Sequence, residues 1–271
     1  MATYLGTHGS KIQNYTTDPD NPNTGEVWFN ATDAVLKFST GPLTAAWSTS
    51  NNMGTARQGP GATGIQTAAL GFGGYTANVE SYNGTNWTEV NNLSGFKSFL
   101  GGAGTQTAAL AFGGIGPYPS PTVADTENWN GTNWTEVNNL NTARNALGGA
   151  GTNTAALAFG GTPGSKNETE LWNGSNWTEV NNLNTGRRNL AGAGTSTTAL
   201  AFGGTPDGAK TETWNGTNWT ETGDLNTARS ALGGDGASNS SALAFGGEAP
   251  PNTTATEEWN ISGGTKTIST S

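Results

Sequence analysis

Short apolar runs separated by glycine and asparagine recur along the chain in a fixed order. The run Ala155-Ala-Leu-Ala-Phe is stopped by Gly160-Gly161, and its counterparts end at Gly74, Gly114, Gly204 and Gly247. Compact apolar runs of this length, bounded by turn residues, predict strands. Downstream, Thr169-Glu-Leu-Trp alternates polar and apolar, Asn173-Gly174 marks a hairpin turn, and Asn176-Trp-Thr-Glu-Val alternates again. Alternation of period two on both sides of Asn-Gly predicts antiparallel pairing, with positive φ expected at both turn residues. Upstream, Arg144-Asn-Ala-Leu-Gly-Gly-Ala-Gly predicts a further strand built from small residues. One unit thus reads as four strands, a to d, with no helical period.

The unit repeats. Trp-Thr-Glu-Val-Asn-Asn-Leu begins at Trp87, Trp134 and Trp177, a variant begins at Trp219, and a degenerate copy begins at Trp47. The aromatic that precedes the hairpin turn is Tyr82, Trp129, Trp172, Trp214 and Trp259 in turn. Landmarks spaced roughly 40–47 residues apart are the mark of propeller blades or solenoid arrays. Glycine-rich a strands suit inner strands that converge on an axis, and crowding there favours a ring of few blades. Unit five has no Trp-bearing d strand after Trp259, whereas an orphan d-like strand, Ala45-Ala-Trp-Ser-Thr, precedes the first a strand. Pairing the two closes a five-bladed ring and removes exposed sheet edges. The alternative takes Thr265-Lys-Thr-Ile-Ser as the last d strand. Val27-Trp-Phe-Asn, Val35-Leu-Lys-Phe and Ala45-Ala-Trp then build a partial sixth blade.

Composition restricts the chemistry. With 42 Gly, 32% apolar residues and a net charge of −9, the 271-residue chain has the bulk profile of a disordered one. Ten tryptophans in periodic positions argue instead for a folded core. The absence of Cys excludes disulfides, thiol catalysis and thiolate metal sites, and the single His8 excludes multi-histidine metal sites. Neither a metal nor a cofactor is expected. The acidic balance argues against nucleic acid as a partner. No apolar run approaches the length of a membrane span, and no secretory signal is visible.

An Arg leading into strand a, a Gly-Gly closing strand b, then a spaced aromatic and a Trp together resemble the kelch repeat. The resemblance covers all five units. It implies an all-β fold, a β-propeller of four-stranded blades whose strands a line a central channel, over residues 45–271. Residues 1–44 lie outside the repeat. Within them Gly25-Glu-Val-Trp-Phe-Asn-Ala-Thr-Asp-Ala-Val-Leu-Lys-Phe predicts a β-hairpin similar to a short module of bacteriophage tail-fibre and structural proteins. Combined with near-identical Asn/Thr/Gly-rich units, it resembles virion proteins of marine phages. That resemblance implies a virion or extracellular location and an attachment role for residues 1–44, which could also join copies of the chain into a homo-oligomer. Host-surface glycans or other virion proteins are the implied partners. Two rival expectations are a purely structural assembly protein and a secreted bacterial propeller lectin.

The most regular polar feature is a basic residue leading each strand a: Arg57, Lys97, Arg144, Arg187 and Arg229. Placed around the channel mouth, they are candidates to bind an anionic sugar, phosphate or carboxylate. The competing role is to hold carbonyls or a carboxylate within the scaffold. The b–c loops share that end of the blades and are where the units differ, so they are the expected carriers of recognition. Tyr118, between prolines in the longest loop, is the candidate for an aromatic that stacks on a ligand. The tryptophan rings are expected to wedge between blades. The carboxylates Glu127, Glu170, Glu212 and Glu258 in strand c, and Glu89, Glu136, Glu179 and Glu221 in strand d, recur too regularly for an active site, which is normally unique. No enzyme activity is expected. The frequent Asn-X-Ser/Thr sequences coincide with turns and are expected to serve turn chemistry.

Overall fold

The structure is a computed structural model, and it describes residues 13–16, 27–38, 50–117, 122–249 and 252–260. The described secondary structure is all strand and turn. The chain divides into two compact units, Met1–Thr49 and Ser50–Ser271.

In the first unit, β2 (Val27–Asn30) and β3 (Val35–Phe38) form the expected antiparallel hairpin, with Val27 opposite Phe38 and Asn30 opposite Val35. The Asn30 Oδ1 accepts the amides of Thr32 and Asp33 at 2.9 and 3.0 Å, the local bond that lets asparagine set a turn. The pattern did not reveal β1 (Gln13–Tyr15), which pairs in parallel with β2. This three-stranded sheet stands alone, and its parallel pair sets it apart from a meandering blade.

The second unit is a five-bladed β-propeller. Blade 1 contains β4 (Gly61–Ile65), β5 (Ala68–Phe72), β6 (Val79–Tyr82) and β7 (Trp87–Val90). Blade 2 contains β8 (Gly101–Gly104), β9 (Ala109–Phe112), β10 (Thr126–Trp129) and β11 (Trp134–Val137). Blade 3 follows with β12 (Gly148–Gly151), β13 (Ala156–Phe159), β14 (Thr169–Trp172) and β15 (Trp177–Val180). Blade 4 is β16 (Ala191–Gly194), β17 (Ala199–Phe202), β18 (Thr211–Trp214) and β19 (Trp219–Glu221). Blade 5 is β20 (Gly233–Ser238), β21 (Ser241–Phe245) and β22 (Thr256–Asn260), three strands among the described residues. Every blade is an antiparallel meander in chain order, as the four-strand unit predicts. The expected closing strand 45–49 and the alternative last strand 265–269 both lie outside the described residues.

Packing explains the composition. A Cβ on Gly149 would come within 2.6 Å of the Gly102 carbonyl oxygen, and one on Gly192 within 2.6 Å of that of Gly149. At these two positions the inner strands approach so closely that only glycine fits. Between blades sits a repeated apolar cluster. Leu157 and Phe159 of blade 3 meet Ala199, Ala201, Trp214 and Trp219 of blade 4, all buried. The d-strand tryptophans of blades 2, 3 and 4 lie edge-on to the b-strand phenylalanine of the preceding blade: Trp134 on Phe72, Trp177 on Phe112 and Trp219 on Phe159, with centroids 5.0–5.3 Å apart. The tryptophans wedge between blades, as expected, and supply the burial that scarce aliphatic residues cannot.

Two features of the turns differ from expectation. Trp172 pairs directly with Trp177, so the c–d connection is the four-residue loop 173–176 and not a two-residue turn. Gly174 has positive φ (92°), whereas Asn173 does not and acts through its side chain, whose Oδ1 accepts the amides of Ser175 and Asn176, each at 2.9 Å. The uniform turns also staple neighbours together. Asn181 Nδ2 donates to the Thr217 carbonyl and Asn218 Oδ1 at 3.1 and 2.8 Å, and Asn51, Asn91 and Asn138 repeat the contact. The inner strands, finally, begin later than the small-residue run suggested. Ala146 adopts φ of 53°, which ends any strand there, and β12 starts at Gly148.

Candidate functional site

Because strand a starts late, Arg144 lies four residues ahead of it, in the segment that links β11 to β12. That displacement changes its role. The side chain is fully buried; Nη1 donates to the carbonyls of Gly160 and Glu168 at 3.3 and 2.6 Å, and Nη2 to Ala158 O and Glu170 Oε1, each at 3.1 Å. These carbonyls lie at the end of β13 and in the b–c connection, on either side of the point where the chain leaves the ladder. The guanidinium satisfies several of them with one planar group. Glu170 then gathers the linker itself, accepting the amides of Asn141 and Thr142 at 2.7 and 3.4 Å.

The same clamp recurs in every blade. Arg187 pairs with Glu212 at 3.0 Å, Arg229 with Glu257 at 3.1 Å and Arg57 with Glu80 at 2.7 Å. Lys97, a point charge with less reach, meets Glu127 at 3.0 Å and Asp125 at 3.5 Å. In unit five the carboxylate in register is Glu257, not Glu258, because the clamp uses the position two before the strand-c aromatic. Burial draws the Arg144 guanidinium below its ordinary value while Glu170, Glu168 and Glu179 pull it back. Burial drives the Glu80 carboxyl up, but Arg57 and the amides of Gly54 and Thr55 outweigh it and hold Glu80 below the ordinary carboxylate value. In this structure the five basic groups are therefore engaged within their own blades, and their charge is not presented at the channel mouth. The other candidate, Tyr118, lies outside the described residues.

What varies at the b–c end is its loops. Blade 1 has the short connection Tyr75–Asn78, and blade 2 the long one from Ile115 to Asp125. Blades 3 and 4 have similar loops, each opening on a cis Thr–Pro bond, and blade 5 has Glu248-Ala-Pro-Pro-Asn. Below the loops the scaffold is tied by main-chain bonds between blades. Gly114 N donates to Arg144 O at 2.9 Å and Gly161 N to Arg187 O at 2.7 Å. A second series joins the residues just ahead of the inner strands: Phe99 N to Gly59 O, Ala146 N to Phe99 O, Asn189 N to Ala146 O and Ala231 N to Asn189 O, at 2.7–2.9 Å.

One cluster at this end went unnoticed in the sequence pattern. Tyr75 is 51% exposed and stands edge-to-face with Phe96 and Phe99, at centroid distances of 5.7 and 6.0 Å. The signal that could have found it is departure from the repeat, since the equivalents of Phe96 are Ala56, Ala143, Gly186 and Ala228. Among the described residues no group of three or more His, Cys, Asp or Glu side chains is placed to hold a metal ion.

The fold and the site define a β-propeller whose blades are clamped by buried ion pairs and whose variable loops gather at one end. Comparison with known proteins adds no name to that class: no family model matches the chain, and no curated protein matches it.

Proposed function

We propose that this protein is a non-catalytic recognition module, a kelch-like propeller of a phage virion appendage that binds a host-surface glycan through its b–c end. The observation that carries this reading is the contrast between constant and variable parts. Clamps, wedges and turn staples repeat from blade to blade, whereas the b–c loops differ in length and chemistry on a scaffold tied by inter-blade hydrogen bonds. Variable loops on a rigid frame are where recognition concentrates. The resemblance of residues 25–38 to a phage hairpin module supports the virion assignment and an attachment role for the N-terminal segment.

A glycan array probed with the full chain tests it. Hits that weaken at least tenfold when the 115–125 loop is shortened to the length of 75–78 support the reading. Silence across the surface polysaccharides of the host overturns it.

A further inference from the structure

Phe99 sits at a position where the fold requires the left-handed region. The equivalents are Gly59, Ala146, Asn189 and Ala231, all with φ between 50° and 62°, and Phe99 itself has φ of 52°. A bulky side chain is poorly tolerated there, and the other blades place glycine, alanine or asparagine at this point. Tyr75 repeats the anomaly with φ of 62°. Two strained aromatics in contact, in one blade junction out of those that share the geometry, are not explained by the needs of the scaffold. Strain of this kind persists where a side chain is needed for something else.

The arrangement shows what that is. Phe99 lies over Gly59, where a Cβ would come within 2.9 Å of its ring, so the neighbouring blade leaves room for it. Phe96 and Phe99 are half-buried and support Tyr75 from below, edge to face. Tyr75 is thereby held with an exposed ring and a polar tip. Beside it, Ser98 and Ile115 exchange main-chain hydrogen bonds at 3.1 and 2.8 Å, which sets the platform next to the start of the longest loop. The basic group between the two phenylalanines, Lys97, is buried and paired with Glu127, so it offers no free cation to an anionic ligand.

We propose that Tyr75, supported by Phe96 and Phe99, is a stacking platform for a neutral sugar ring. This rests on the glycan reading above and assigns one subsite of it. A stiff aromatic with an apolar face and a hydroxyl at its edge matches a pyranose, whose C–H face is apolar and whose rim is polar.

Saturation-transfer NMR on the full chain, with methyl glycosides of glucose, galactose and mannose as probes and sialic acid as the anionic comparison, tests the assignment. Transfer to at least one neutral glycoside is expected, with loss of at least tenfold in affinity for Tyr75→Ala and for Phe99→Gly. Phe99→Gly adopts the residue already used at Gly59, so its melting temperature should hold or rise while binding falls. Equal binding in the variants, stronger binding of sialic acid, or a lower melting temperature for Phe99→Gly with binding intact would each overturn the platform. Array hits that survive Tyr75→Ala would leave the glycan reading standing without this subsite, whereas an empty array removes both.

Discussion

The junction between blades 3 and 4 and the junction between blades 4 and 5 present the same set of wall side chains, and among the described residues the first also has a d-strand tryptophan at its centre. In the first, Trp219 lies 5.0 Å from Phe159, and its Nε1 donates to Thr169 Oγ1 at 3.0 Å. Leu157, Leu183, Ala199, Ala201 and Trp214 surround it. One blade further, the equivalents Leu200, Phe202, Thr211, Leu225, Ala242, Ala244 and Trp259 line a cavity of about 180 Å³. The strand d position of blade 5 lies outside the described residues. The walls come from strands b and c and from the linker, and the filling comes from strand d alone.

The largest expected effect follows directly. Trp219→Ala empties the centre of the first junction and should cost about 3–5 kcal/mol, the usual range for truncating a buried tryptophan. Trp259→Ala should cost less than half as much, because Trp259 is only half-buried and loses fewer contacts. Urea denaturation of both variants measures the difference, and equal losses would mean that Trp259 is as closely packed as Trp219.

A smaller effect sharpens the comparison at the level of one hydrogen bond. Trp177 and Trp219 each donate to a strand-c threonine, Thr126 or Thr169, at 3.0 Å. In blade 1 the same position holds Val79, and the Nε1 of Trp134, although buried, has no partner. Thr126→Val should therefore cost about 1–3 kcal/mol by stranding the indole N–H of Trp177, and Val79→Thr should gain about 0.5–1.5 kcal/mol by supplying one to Trp134. Chemical denaturation resolves both. Opposite signs are the required outcome.

The contrast also shows what the pattern of residues can carry. The strand order, the tryptophan wedges and the small inner strands were legible because each depends on spacing within one unit. The clamp was only half legible. Arg144 stood out, but its partner Glu170 is 26 residues away and was weighed separately. The two recur together in every unit, which was the available signal. The displacement of Arg144 from strand a was not legible, because it turns on one left-handed residue, Ala146, that alanine's propensities do not announce. The aromatic cluster was missed for the opposite reason: attention to what repeats passes over Phe96 and Phe99, which depart from the repeat. Strand β1 has no alternation to betray it.

The smallest expected effect addresses the cavity itself. Thr211 stands where Thr169 accepts the Trp219 indole, so the pocket offers both an apolar lining and one acceptor to a planar N–H donor. Free indole should therefore bind weakly and raise the melting temperature. A ligand at ten times its dissociation constant adds about 1.4 kcal/mol, or roughly 3–6 °C for a chain of this size. Indene has the same shape without the N–H and should stabilise less, and Thr211→Val should erase the difference between the two. Differential scanning fluorimetry reads all three. If neither compound shifts the transition, the pocket is not open to a planar ligand in solution. If indole and indene act equally on the unaltered chain, the pocket selects by shape alone, and Thr211 has lost the role that Thr169 plays one blade earlier.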